Sequence, residues 1–97
     1  MEKEKLIENF FTAVEQDCRI APVHISLYLA LLQWCSKNGN ADPLSFYAKD
    51  LMPLAKFSSS TTLHKCIRDL DKFGYIKYVP SFNPFLGSLV YLSGYKV

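Results

Sequence analysis

Glycine is scarce in this 97-residue chain, and the four glycines stand far apart, at positions 39, 74, 87 and 94. Isolated glycines exclude the glycine-rich loops that cradle phosphate groups in nucleotide-binding proteins. The sequence also lacks a G-x-S-x-G nucleophile motif, an H-E-x-x-H zinc motif and a paired-carboxylate site. These absences argue against an enzyme, and we predict no catalytic site, no cofactor and no small-molecule substrate.

Cysteine is equally sparse. Cys18, Cys35 and Cys66 are widely spaced and form no C-x-x-C pair, so we expect reduced thiols buried in the core rather than a disulfide framework. His64 lies two residues from Cys66, but this spacing puts the two side chains on different faces of a helix. A zinc site needs four suitable ligands, and since nothing else clusters with this pair, we expect no metal site.

Long apolar runs are missing too. The most apolar segment, residues 25–34, has about half the length that a membrane-spanning helix needs. The charged start, MEKEKLIENFF, shows no apolar core of a signal peptide. We therefore expect a cytoplasmic protein without membrane contact. A hydrophobic fraction of 49% suffices for one core in a single domain over residues 1–97.

Charge is unevenly distributed, although the net charge is only +2. Residues 1–22 carry five acidic and three basic side chains, a balance of −2, whereas residues 58–97 carry five basic and two acidic ones, a balance of +3. No acidic residue follows Asp71. This asymmetry favours a protein that presents its C-terminal half to a polyanion such as nucleic acid.

Apolar residues in the N-terminal half repeat with helical periodicity. Residues 2–18 predict an amphipathic helix within an N-terminal extension over residues 1–20. Its apolar side chains are Leu6, Ile7, Phe10, Phe11 and Val14. A core helix over residues 23–37 is apolar on nearly every side and must be covered all round. Either the first helix or a second copy of the chain can supply that cover, so a homodimer is one of two alternatives.

The C-terminal half predicts a short strand, two helices and a β-hairpin. Residues 43–46 alternate in polarity and suit a small strand. A short helix and a longer one, the latter capped by Ser58 or Ser59, span residues 47–73 as a helix-turn-helix. Gly74 ends the longer helix, and two β-prone runs around a loop with Pro and Gly form a hairpin over residues 75–92.

The predicted order is α-α-(short β)-α-α-β-β, a mainly α fold with a small antiparallel sheet, in which a wing hairpin follows a helix-turn-helix. The segments ISLYLALLQW, TTLHKCIRDLDKFGYIKY and PSFNPFLGSLVYL resemble winged helix-turn-helix domains of small bacterial DNA-binding regulators. More narrowly, they resemble small proteins of Bacteroides-type bacteria that accompany conjugative transposons and other mobile elements. The resemblance implies a double-stranded DNA target and a role in transcription regulation or as an accessory factor of a mobile element.

The helix over residues 59–73 is the predicted recognition helix, since an α-helix fits the major groove. Its predicted DNA contacts are Ser59, Ser60, Thr61, Thr62, His64, Lys65, Arg68 and Lys72. Lys65 and Arg68 are the predicted base contacts, because arginine can bond O6 and N7 of guanine together. Lys72 and the hydroxyl groups suit phosphate. The alternative for this stripe is an ordinary solvated helix face, with Asp69 and Asp71 as local partners.

The wing hairpin adds further predicted DNA contacts: Lys77, Ser81, Asn83 and Ser88. Lys77 and the two serines suit phosphates, and Asn83 suits the minor groove. The loop also carries Phe82, Phe85 and Leu86, which we expect to pack against protein rather than to wedge between base steps. This apolar loop favours an alternative function, protein–protein interaction without DNA binding, because one fold can serve both purposes.

Overall fold

The computed structural model describes residues 3–81 and 87–92. Within these ranges the helices are α1 (Lys3–Val14), α2 (Pro22–Lys37), α3 (Ala48–Ala55) and α4 (Ser60–Lys72), and the strands are β1 (Leu44–Phe46), β2 (Lys77–Val79) and β3 (Ser88–Tyr91). Four helices and a small antiparallel sheet confirm the prediction of a mainly α fold with a small sheet. The order α1-α2-β1-α3-α4-β2-β3 also agrees with the predicted order.

The sheet has the strand order β1-β3-β2, with antiparallel pairing on both sides of β3. The β2–β3 pair is the predicted hairpin, whereas the sequence pattern did not indicate the partner of β1. Val90 lies at the centre of the sheet, opposite Leu44 on one side and Tyr78 on the other, and it is fully buried. The side chain of Trp34 fixes α2 to this sheet by donating from Nε1 to the carbonyl oxygen of Ser45 over 3.0 Å.

Gly87 stands at the start of β3, where the backbone has φ +67°, a value that L side chains rarely adopt. A Cβ atom at this position would lie 2.9 Å from the carbonyl oxygen of Phe46. Glycine is therefore required here because β1 passes too close for any side chain.

Helix α2 occupies the centre of the molecule, with α3 and α4 packed against it and against each other. Leu27, Tyr28 and Leu31 of α2 are completely buried. Ile76 and Val90 close the core from the sheet side. The prediction that α2 is covered all round holds for this buried face only, since Val23 and Leu29 of the same helix stay exposed at 43% and 39%.

Helix α1 supplies cover for α2 within the same chain. The Phe10 ring stacks on the Tyr28 ring with 4.0 Å between centroids and 2° between planes, and Leu6 is also buried. The same Phe10 ring meets Tyr75 edge-on at 5.4 Å. The alternative in which both N-terminal helices cover each other inside one chain therefore holds for this face of α2, and a homodimer stays a prediction.

The first helix is shorter than predicted, and the segment that follows Val14 is held by one local ion pair and one tertiary hydrogen bond. Arg19 donates from Nε and Nη2 to the two carboxylate oxygens of Asp17, each over 2.8 Å, and Tyr75 donates from Oη to Asp17 over 2.7 Å. Cys18 lies in this turn and is exposed, so the prediction that it is buried is wrong. Cys35 and Cys66 are buried and unbridged, as predicted.

The two ends of α4 are formed by local sequence signals. Ser59 caps the N-terminus, with its hydroxyl oxygen accepting from the N–H of Thr62 over 3.4 Å. At the other end, Tyr75 donates from its N–H to the carbonyl oxygen of Leu70 over 2.9 Å, while Gly74 has φ +91°. This is the hydrogen-bond pattern of a Schellman motif, and it turns the chain from α4 into β2.

Within residues 3–81 and 87–92, none of the helices has both the length and the hydrophobicity that crossing a bilayer requires.

Candidate nucleic-acid interface

Helix α4 separates its apolar and polar residues onto opposite faces. Leu63, Ile67 and Leu70 are completely buried, as the periodicity predicted. The opposite face carries the exposed residues Thr61, Lys65, Arg68 and Lys72. Nothing within residues 3–81 and 87–92 therefore covers this stripe, and the side chain of Lys65 is 74% exposed.

The N-terminal end of α4 presents a group of exposed hydroxyl residues: Ser59, Ser60, Thr61 and Thr62. The Ser59 hydroxyl oxygen accepts the helix-capping hydrogen bond, which leaves its O–H free to donate to an anion. The first N–H groups of a helix lack partners within the helix, and the helix dipole makes this end partially positive. The arrangement suits a phosphate oxygen, although the contact itself stays a prediction.

His64 lies on the flank of α4 and is half-buried. Its Nδ1 atom is 2.8 Å from the carbonyl oxygen of Ser60, one turn earlier, and donates to it as N–H. The ring is therefore turned back along its own helix. Nε2 is the ring nitrogen that this bond leaves for hydrogen bonding with a ligand.

Arg68 and Lys72 are exposed cations on the outer face of α4. In the part of the chain that the structure describes, neither of them takes part in an ion pair. Both charges are therefore available to an external anion. Their exposure agrees with the DNA-binding prediction and equally with an ordinary solvated face.

Lys65 differs from these two cations because it has an internal partner. Its Nζ atom lies 3.5 Å from Oδ2 of Asp69, one helical turn further along α4. The same oxygen is 3.0 Å from Nε2 of His24, which is buried at the start of α2. The Nδ1 atom of His24 accepts the backbone N–H of Ala21 over 2.9 Å, so Nε2 carries the proton and donates to Asp69.

The hydrogen bond from His24 is the main reason that the pKa of Asp69 is held below its ordinary value, and the nearby Lys65 lowers that pKa further. Asp69 is therefore a fixed negative charge beside the predicted reading face. Sequence reasoning missed His24, because it lies 45 positions from Asp69 and no local pattern connects them. Its place in the first turn of an apolar helix was the one available signal.

The hairpin residues that were predicted to contact DNA differ in how far they are exposed. Lys77 is exposed on β2, which lies against α4, and Ser81 is exposed just after that strand. Ser88 is half-buried in the central strand β3, where it pairs with Phe46 of β1. The predicted contact Asn83 and the apolar residues Phe82, Phe85 and Leu86 lie outside the described residues.

A shallow open groove lies next to the N-terminus of α4. It is lined by Val23, Lys56, Phe57, Ser58, Ser59 and Thr62. Lys56 and Ser58 are exposed residues of the turn between α3 and α4, and neither was among the predicted DNA contacts. Their position between the two helices of the predicted motif could have identified them.

Side chains of the metal-binding kinds are dispersed. Among the residues that the structure describes, no three His, Cys, Asp or Glu side chains come close enough together to hold a metal ion.

Comparison of the chain with protein-family models, with curated proteins and with solved structures gave no match.

Proposed function

We propose that this chain is a winged helix-turn-helix protein that binds double-stranded DNA. Helix α4 would lie in the major groove, and the β2–β3 hairpin would lie over the adjacent backbone. The observation that carries this proposal is the outer face of α4, on which Thr61, Lys65, Arg68 and Lys72 are all exposed. Thirteen residues of helix measure about 20 Å, which spans the width of the groove with room for contacts on both sides.

Binding would combine two kinds of contact. Lys72 and Lys77 would neutralise phosphates and release counterions, a term that does not depend on base sequence. Arg68 would supply base recognition, because its planar guanidinium group matches the two acceptors of guanine. The short hydroxyl residues at the start of α4 would fix the helix against the backbone.

The biological role that we propose is transcription regulation or an accessory function of a mobile element. It is based on the resemblance of residues 25–92 to the small regulators described above. The role requires no chemistry beyond binding.

A second candidate is a protein–protein interaction module. The exposed large apolar side chains Phe11, Val23 and Leu29, on α1 and α2, favour it, since such residues occur at interfaces between proteins. DNA binding is preferred because Lys65, Arg68 and Lys72 lie in one exposed row along the outer face of a single helix.

The two candidates are separated by measuring binding to a random-sequence duplex pool over a series of salt concentrations. We expect Lys72→Ala to weaken binding to all sequences and to reduce the salt slope by about one. Arg68→Ala should instead remove the preference for the sequence that wild-type protein selects from this pool, called the selected site below. The expected loss of preference is about 1–3 kcal/mol per base pair read.

Lys37→Ala is the matched control for charge. Lys37 is an exposed lysine in the last turn of α2, about 20 Å along that helix from His24, which packs against α4. The Lys37→Ala change should leave both the affinity for DNA and the salt slope unchanged. No binding to any duplex at low salt would reject DNA binding and favour the protein-interaction candidate.

A further inference from the structure

Asp69 is an acidic residue that the stability of its own helix does not explain. It lies in the last turn of α4, where the negative end of the helix dipole disfavours a carboxylate. Its pairing with Lys65 has the less favourable order, with the cation N-terminal to the acid, and the distance is long, at 3.5 Å. The carboxylate is nevertheless fixed in place.

The fixing group is His24, which is itself held from both sides. Its Nδ1 atom accepts from the backbone of Ala21 and its Nε2–H donates to Oδ2 of Asp69, so the ring cannot turn without breaking a bond. Because His24 is buried in the first turn of α2, the position of the Asp69 carboxylate is set by the core. Lys65 then reaches the same oxygen from the solvent side.

This arrangement affects how Lys65 can meet a duplex. A free lysine is a flexible point charge that can follow any phosphate. A lysine that is drawn to a fixed carboxylate places its ammonium group more often in one region beside the helix, even though the side chain of Lys65 is 74% exposed. The carboxylate also repels phosphates that come close to it, so an arbitrary duplex gains less from Lys65 than it would from an unpaired lysine.

We propose that Asp69, positioned by His24, restrains Lys65 and thereby makes duplex recognition selective: it lowers affinity for arbitrary DNA more than affinity for the preferred site. Asp69 is in this sense a specificity-determining residue, and His24 is a positioning residue that acts through it. The proposal rests on the DNA binding proposed above. At the preferred site, an acceptor on the bases would meet the ammonium group where Asp69 holds it.

Asp69→Asn tests the proposal with little change of shape. An amide oxygen still accepts the Nε2–H of His24, so the fold is expected to hold, while the charge that restrains Lys65 is lost. We expect affinity for a random-sequence duplex to rise about three- to tenfold and the salt slope to steepen by about one. Affinity for the selected site should rise less, so the ratio of specific to non-specific affinity falls.

Asp71→Asn is the matched control, because it removes the same charge from the same helix. Asp71 is exposed and takes part in no ion pair within the described residues. It should raise affinity for both duplexes by the same factor and leave their ratio unchanged. Adding Asp69→Asn to a Lys65→Gln background should likewise leave the ratio unchanged, since the restrained group is already gone.

Each outcome has a definite meaning. If wild-type protein binds duplex DNA but Asp69→Asn and Asp71→Asn change the ratio equally, this inference is overturned and the proposed function stands. If Asp69→Asn lowers the ratio just as much in the Lys65→Gln background, the effect does not pass through Lys65 and the inference is again overturned. If wild-type protein binds no duplex at all, the proposed function and this inference fail together.

Discussion

Replacing Phe10 by alanine is expected to remove the main attachment of α1 to the rest of the protein. The Phe10 ring is completely buried, stacks on Tyr28 at 4.0 Å and meets Tyr75 edge-on at 5.4 Å. Truncating a buried phenylalanine costs about 3–5 kcal/mol, and the aromatic pairs lost here place the change in the upper part of that range. Since domains of this size are stable by about 5–15 kcal/mol, much of the total would be lost.

The measurement is denaturant-induced unfolding followed by circular dichroism, and the matched control is Phe11→Ala. Phe11 is the neighbouring residue of the same type but is 40% exposed, so its truncation should cost only about 1–2 kcal/mol. The melting temperature should fall on the order of 20 °C for Phe10→Ala and by about 5–10 °C for Phe11→Ala. Equal losses for the two variants would show that α1 does not pack on α2 through Phe10.

Three further predictions concern single groups in the core, the sheet and the first interhelical turn. Tyr28→Phe should leave stability unchanged or raise it by about 1 kcal/mol in the same unfolding assay, because the buried Tyr28 hydroxyl has no hydrogen-bond partner among the described residues; a loss above that size would reveal one. Gly87→Ala should cost about 2–3 kcal/mol, against about 1 for Gly39→Ala, since both positions have positive φ but only Gly87 faces a backbone oxygen; equal costs would contradict the close approach of β1. The bonds from Arg19 and Tyr75 hold the pKa of Asp17 well below its ordinary value of 3.8. The ionised Asp17 carboxylate therefore stabilises the fold fully above pH 3.8, and this stabilisation is lost progressively as the pH falls below 3.8. Between pH 5 and pH 2, the free energy of unfolding should fall less for Asp17→Asn than for wild-type protein. An identical fall in the two proteins would show that Asp17 does not contribute to the acid sensitivity.

Local patterns were sufficient for most of the helices and for the hairpin. The spacing of Leu63, Ile67 and Leu70 predicted which face of α4 is buried. Gly74 predicted its C-terminal end, and the N-terminal cap was predicted as Ser58 or Ser59, of which Ser59 is the one observed. These features depend on interactions within one or two helical turns, namely amphipathic periodicity, a side-chain cap and a left-handed terminal residue. The exposed stripe of the candidate site follows from the same periodicity, because the residues opposite a buried face point to solvent.

Other features required the folded chain. Cys18 was expected to be buried, but the bonds of Asp17 with Arg19 and Tyr75 stop α1 from extending and turn this residue outward. The pairing of β1 with β3, rather than with β2, was likewise not readable from a three-residue strand. A short strand carries no signal for its partner, since that choice depends on how the helices place it.

The division between the two sources of information follows the distance along the chain over which each interaction acts. Periodicity and capping act within a few residues, so the amino-acid order alone was enough to identify α4 and its cationic outer face. The contact of His24 with Asp69 spans 45 positions, and that of Tyr75 with Asp17 spans 58. Such contacts exist only after α1, α2 and α4 have packed together, which is why the folded chain was needed to show that His24 fixes the carboxylate beside Lys65 and that, among the described residues, Arg68 and Lys72 form no ion pair.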